Sequence, residues 1–257
     1  MIKIAICFSG HLRNYEECFP SIKNKLLDKY DCDVFISTYD TTINIQNKVI
    51  NLYNPKKIIF NNENDVKNIV NNNKILCTKF LQIAVDKDEH IYNDKKYTIN
   101  ECFDYKNINS NDLKEHKIHT EILCQFFGIY DVSKMCEEYI LENNIKYDYI
   151  LRVRLDNTII GEIIFDNFEE NTITVNCIQK YSHSIKLQDH FFMATPNTYF
   201  KISNLYNELP QIINFINNNK CWLPGSGYPE TLLLIHIILN NIKIKTTNKK
   251  FLCFKKV

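Results

Sequence analysis

Ile2-Lys3-Ile4-Ala5-Ile6-Cys7-Phe8 is an apolar run broken only by Lys3, and the polar loop Ser9-Gly10-His11-Leu12-Arg13-Asn14 follows at once. A short apolar run closed by a glycine-bearing loop fits a strand covered on both faces, as in a parallel sheet. Outward from it, Tyr15, Phe19, Ile22, Leu26 and Leu27 recur at helical spacing to about Lys29. Pro20 is tolerable in that helix only near its start. Asp33-Val34-Phe35-Ile36-Ser37 reads as a second strand, residues 42–52 as a short helix, and Lys57-Ile58-Ile59-Phe60, beyond Pro55, as a third strand. The order strand–helix–strand–helix–strand implies a mostly parallel central sheet with right-handed crossovers and flanking helices, an α/β fold.

Residues 61–117 break the pattern. They are polar and rich in Asn and Lys, with apolar patches at residues 75–76 and 80–85, so a hairpin or mobile insertion is expected there. A stripe from Ile122 to Ile140 predicts a long helix over 118–143. Strands near 172–178 and 190–194 follow, then a helix opened by Pro196-Asn197 and a polar linker at 217–220. A Pro-Gly-Ser-Gly turn at 224–227, a helix over 229–240 and the strand Ile242–Lys245 complete the chain. No linker divides it, and residues 1–257 are expected to form a single domain.

Composition narrows the function. A net charge of +1 supplies no global field for nucleic acid or an anionic membrane, so any anion must be bound by a local site. No run approaches the roughly 18 apolar residues of a membrane span. The ten cysteines are scattered, form no C-x-x-C pair, and fall in apolar runs such as IAICF, which argues for reduced thiols rather than disulfides or zinc. The chain opens directly into a strand-like run and carries no N-x-S/T acceptor, so a cytoplasmic location is expected.

Residues 147–157, Tyr-Asp-Tyr-Ile-Leu-Arg-Val-Arg-Leu-Asp-Asn, carry the chemistry. In an extended chain alternate side chains share a face. Tyr147, Tyr149, Leu151, Val153 and Leu155 then lie on one face, and Asp148, Ile150, Arg152, Arg154 and Asp156 on the other. Ligands of open α/β sheets bind beyond the carboxyl ends of the strands. There a carboxylate can hold Mg²⁺ or Mn²⁺, and arginines can grip a diphosphate. Taken alone, R-x-R-x-D is as readily a solvated, ion-paired strand end. Three other polar clusters sit at predicted strand ends. Ser9, Gly10 and Arg13 form a loop that can approach a phosphate, although no G-K-[ST] makes it a P-loop, and a simple tight turn is the plain alternative. Ser37-Thr38-Tyr39-Asp40 can hold a base or merely cap a helix. Asp189, ahead of an apolar strand, can act as general base or simply start a turn; Glu230, at the start of the last helix, is the other candidate.

These segments in this order resemble a family. The S-G-x-x-R loop, CDVFISTYD (32–40), QFFGIYDVSKM (125–135), YDYILRVRLD (147–156), DHFFMATPNTY (189–199) and PETLLLIHIILNNIKI (229–244) are similar to the small GT-A-type glycosyltransferases of bacterial polysaccharide clusters and large DNA viruses. The resemblance spans roughly 1–60 and 118–245. It implies a GT-A-like, Rossmann-like fold and transfer of a sugar from a nucleotide-sugar donor to a glycan or other hydroxyl acceptor. If the source is viral, it implies action in the host cytoplasm.

Where the family carries D-x-D, with a divalent metal and the donor diphosphate, this chain has Arg154-Leu155-Asp156. Asp156 keeps the second position, as metal ligand and catalytic carboxylate. Arg154 replaces the first and can neutralise the diphosphate directly. The resemblance sets Ser9, Gly10 and Arg13 against the nucleotide and matches Asp189 to the catalytic base; the strand-end reading adds Thr38 and Arg152 to the nucleotide-sugar site. Two other readings fit the same residues: a catalytically silent glycan- or partner-binding module, using aromatics such as Tyr181, Trp222 and Tyr228, and a sulfotransferase-like enzyme with another phosphorylated donor.

Overall fold

A computed structural model describes residues 2–72, 76–81, 89–91, 94–98, 113–165, 169–181, 184–218, 223–224, 229–247 and 252–253. Eight strands form the central sheet: β1 (Lys3–Ser9), β2 (Asp31–Tyr39), β3 (Lys57–Asn61), β4 (Asp94–Lys95), β5 (Tyr149–Val153), β6 (Thr172–Val175), β7 (Phe191–Ala194) and β8 (Lys243–Thr246). Their order is β3-β2-β1-β5-β7-β6-β8-β4. β1, β2, β3 and β5 are mutually parallel, β7 runs antiparallel between β5 and β6, β8 is parallel to β6, and β4 is an antiparallel edge. The sheet is thus mixed but mostly parallel, as the N-terminal pattern predicts. The chain leaves β1 toward β2 and β3 on one side and returns to β5 on the other. That reversal makes the β1–β5 gap a topological switch point.

β1 shows why the sheet is covered on both faces. Ile4, Ile6 and Phe8 enter one core with Val49 and Tyr53 of α2 (Ile43–Tyr53) and Tyr15, Cys18 and Ile22 of α1 (Tyr15–Ile22). Ala5 and Cys7 enter the other, under α3 (Glu63–Asn72) and the long α4 (Thr120–Asn143). Their small size lets α4 lie close against the strand. The same core is closed by α5 (Pro196–Ser203), α6 (Leu205–Asn218) and α7 (Pro229–Leu239).

Several expectations are corrected. The first helix does not run unbroken to Lys29. It ends at Ile22, and a π-helical turn spans Lys23–Leu27. Pro20 lies inside it and offers no N–H to the preceding turn, which favours a local change of winding. Tyr147 does not share the Leu151 face. Regular extension begins at Tyr149, and Tyr147 instead packs with Phe35 and donates to Asp33 Oδ2 at 2.7 Å. The helix opened by Pro196 is two helices, α5 and α6, separated at Asn204.

Residues 61–117 are not all insertion. Asn62 Oδ1 accepts the backbone N–H groups of Asn64 and Asp65 at 3.0 and 3.2 Å, capping α3, and Val66 and Val70 reach the core. Leu76–Leu81 pairs antiparallel with Leu113–Lys117. Residues 73–75, 82–88, 92–93 and 99–112 lie outside the described residues, as do Trp222, Tyr228 and residues 225–227 of the Pro-Gly-Ser-Gly turn. Tyr181 ends a short strand, Ile178–Tyr181. The cysteines whose side chains are described are free thiols. Among the described residues no helix is long and apolar enough to cross a membrane.

Candidate active site

At the switch point the carboxyl ends of β1, β2 and β5 meet the amino end of β7, because β7 is reversed. Phe191 pairs with Val153 and Phe192 with Arg152, so Asp189 and His190 arrive beside the end of β5. Gly10, just past β1, has φ +113°, and a Cβ built there would meet nothing within 4 Å. The glycine is therefore required by backbone conformation, and it presents bare main chain to open space. Thr38 Oγ1 donates to Gly10 O at 2.8 Å, and Gly10 N donates to Ser37 O at 3.3 Å. Thr38 thus shapes the loop from behind. Ser9 Oγ is buried and makes no hydrogen bond among the described residues.

Arg152 is 1% exposed. Its Nη1 donates to His190 O at 3.0 Å, while its Nε finds no acceptor among the described residues. Burial pulls its pKa down to about 10, against the pull of nearby Asp189, so the guanidinium remains charged at neutral pH. A buried cation with an unmet donor is costly, and such groups in native folds call for an explanation.

Arg154 lies just beyond β5. Its Nε and Nη2 donate to Asp156 Oδ1 and Oδ2 at 2.8 and 2.6 Å, a bidentate pair, and Nη1 lies 3.2 Å from His190 Nδ1. Asp156 is not on the strand. Leu155 and Asp156 form a turn closed by Asn157 N donating to Arg154 O at 3.2 Å, which folds the carboxylate back onto its neighbour.

On the other side of His190, Asp189 is buried. Its Oδ2 accepts from Gln125 Nε2 of α4, and its Oδ1 lies 3.4 Å from His190 Nε2. Burial lowers the His190 pKa, with Asp189 opposing. Asp189, His190 and Glu230 bring ligand atoms within 4.8 Å of one another, a donor set that could in principle take a metal ion. Asp156 is not in it.

A cleft of about 240 Å³ opens over these groups. Of the residues singled out in the sequence, Ser9, Gly10, Arg13, Ser37, Thr38, Tyr39, Arg152 and Arg154 stand on its wall. Asp156 and Asp189 do not. They stand one layer back, touching Arg154 and Gln125 respectively. The wall also holds residues the sequence reading missed. Glu121, Cys124, Gln125 and Gly128 form one face of α4, at helical spacing, and Glu63 and Lys67 come from α3. His11 and Tyr39 stack with ring centroids 4.4 Å apart and planes tilted by 31°. Burial, then Arg13, depresses the His11 pKa, and burial raises that of the Tyr39 hydroxyl. With Arg13, Lys67, Arg152 and Arg154 against Glu63 and Glu121, the wall is net cationic.

No family model and no curated protein matches the chain. Among solved structures it is similar to the glycosyltransferase GlyE of Streptococcus pneumoniae TIGR4, with TM-score 0.42 and 9% identity over 96% of this chain and 46% of that one. The apo form of GlyE gives TM-score 0.41 and 10% identity over the same shares. The chain spans about half the length of these structures.

Proposed function

We propose that residues 1–257 form a GT-A-type glycosyltransferase domain that moves a sugar from a nucleoside-diphosphate sugar to a hydroxyl of a glycan or other acceptor. One observation carries the reading. Arg152 is a buried cation on the wall of a switch-point cleft, and its Nε has no acceptor among the described residues. A pyrophosphate oxygen would supply what that donor lacks. The order of sequence motifs, with the family resemblance it carries, gives independent support.

In this proposal Arg13, Arg152 and Arg154 stabilise the charge that grows on the departing nucleoside diphosphate, preset before the bond breaks. Ser9 Oγ and the bare main chain at Gly10 approach the phosphates. The stacked His11 and Tyr39 rings offer a platform for the nucleobase. The resemblance assigns the acceptor proton to Asp189, which stands one layer behind the cleft wall against Gln125, with Glu230 as the second candidate. Asp156 orients Arg154. The resemblance also implies a divalent ion at Asp156. The residues do not fit it there, since both carboxylate oxygens already accept from Arg154. No step of the transfer is therefore assigned to a metal.

The loss of the first D-x-D aspartate equally suits a binding module without turnover. Thermal unfolding against UDP-, GDP- and TDP-sugars, with and without Mn²⁺, separates the readings when paired with a donor-hydrolysis assay. A ligand present at 100 times its Kd stabilises the folded form by about 2.7 kcal/mol. Stabilisation with hydrolysis is expected. No shift with any sugar nucleotide contradicts the transferase and favours the glycan- or partner-binding module, while stabilisation without hydrolysis leaves a sugar-nucleotide-binding domain without turnover.

A further inference from the structure

Among the described residues, Arg154 touches two places beside the cleft where a divalent ion could bind. At the first, Asp156, it donates to each carboxylate oxygen at 2.8 and 2.6 Å. A metal ion would have to displace a charge-assisted, bidentate pair to gain one ligand. The second is the Asp189–His190–Glu230 group. There Arg154 Nη1 lies 3.2 Å from His190 Nδ1, and arginine can only donate, so Nδ1 accepts. The single proton of the neutral ring is then on Nε2, the nitrogen 3.4 Å from Asp189 Oδ1. A metal taking either ring nitrogen needs the Arg154 contact to break. Nδ1 is occupied by it, and freeing the Nε2 lone pair would put the proton on Nδ1 against the Arg154 N–H. Arg152, a buried cation whose charge acts on both Asp189 and His190, further disfavours a dication.

From this arrangement, and resting on the proposed donor site, we infer that Arg154 stands in for the divalent cation: it neutralises the donor diphosphate while keeping both carboxylate sites closed to metal. The guanidinium has five N–H donors. Three are engaged by Asp156 and His190, leaving two for a phosphate oxygen pair. Asp156 holds the side chain in place as a protein ligand holds a metal. The site is built for a diphosphate without a metal bridge.

Two measurements on the intact protein test this. The first titrates inorganic pyrophosphate, which needs no knowledge of the base, in EDTA and in excess Mg²⁺. Affinity in EDTA is expected to be no more than about threefold weaker than in Mg²⁺, and Arg154→Ala to weaken EDTA binding by about tenfold or more. The second follows Mn²⁺ by electron paramagnetic resonance without pyrophosphate. The wild type is expected to leave the free-ion signal intact, and Arg154→Ala to bind the ion through the released Asp156 carboxylate or the released His190 ring. Arg154→Gln, of similar length and without charge, repeats both arms should the alanine variant not fold.

Tight Mn²⁺ binding by the wild type, or loss of pyrophosphate binding on chelation, overturns the inference. If pyrophosphate fails to bind under every condition, the donor reading fails and so does the stand-in role. The Mn²⁺ result then still decides whether Arg154 closes the carboxylates to metal.

Discussion

At the scale of single residues, the pairing of Arg154 with Asp156 decides how the end of β5 works. The two side chains are 21% and 14% exposed, so the pair is neither a solvated surface bridge nor a sealed interior one. Exposed pairs contribute about 0–1 kcal/mol, and bidentate geometry sets this one toward the upper end of that range. Asp156→Ala is therefore expected to leave the fold intact, with the midpoint of thermal unfolding changed by only a few degrees. Donor hydrolysis should fall to background because Arg154 is free to swing out of register. Retained hydrolysis would remove Asp156 from the mechanism. Gly10 acts differently. Its φ of +113° is a backbone requirement, and the open space around its missing Cβ shows that the conformation, rather than crowding, selects glycine.

At the scale of elements, α4 forms one side of the cleft. Glu121, Cys124, Gln125 and Gly128 face the opening while Leu123, Phe126 and Ile129 enter the core. Gly128 is an interior helical glycine whose Cβ would meet only Ser9 Cβ, at 3.6 Å, an ordinary contact. Gly128→Ala is expected to raise stability by about 0.5–1 kcal/mol in denaturant unfolding through helix propensity. The added methyl, facing Ser9 on the cleft wall, should weaken pyrophosphate binding several-fold. A fall in stability would contradict the room for a methyl group between α4 and Ser9.

The contrast between elements also explains what the sequence made legible. β1, β2, β5 and α4 were readable because each carries an apolar pattern with a clear period. α3 was not, since among its Asn-rich residues only Val66 and Val70 are buried, and its start signal, Asn62, sits in a run of similar side chains. Arg152 and Arg154 were legible as cations at a strand end. The return of Asp156 onto Arg154 was not, because alternation assumes an extended chain and the strand stops at Val153. Nor could the sequence show that reversal of β7 delivers His190 between Arg154 and Asp189, since strand direction is set by pairing partners far along the chain.

At the scale of the whole molecule, the sheet order turns separate weak signals into one site. A strand-one loop and a strand-two end lie more than a hundred residues in sequence from the arginine pair, and the three meet because β1 sits between β2 and β5. The central claim is that this junction holds a diphosphate against the Arg152 Nε, which has no acceptor among the described residues. Its most direct test is a crystal structure of the protein grown with the nucleoside diphosphate that gives the largest thermal shift. The account predicts a phosphate oxygen about 3 Å from Arg152 Nε, with the diphosphate between Gly10 and Arg154. A nucleotide bound elsewhere, or one in the cleft that leaves Arg152 Nε untouched, would contradict it.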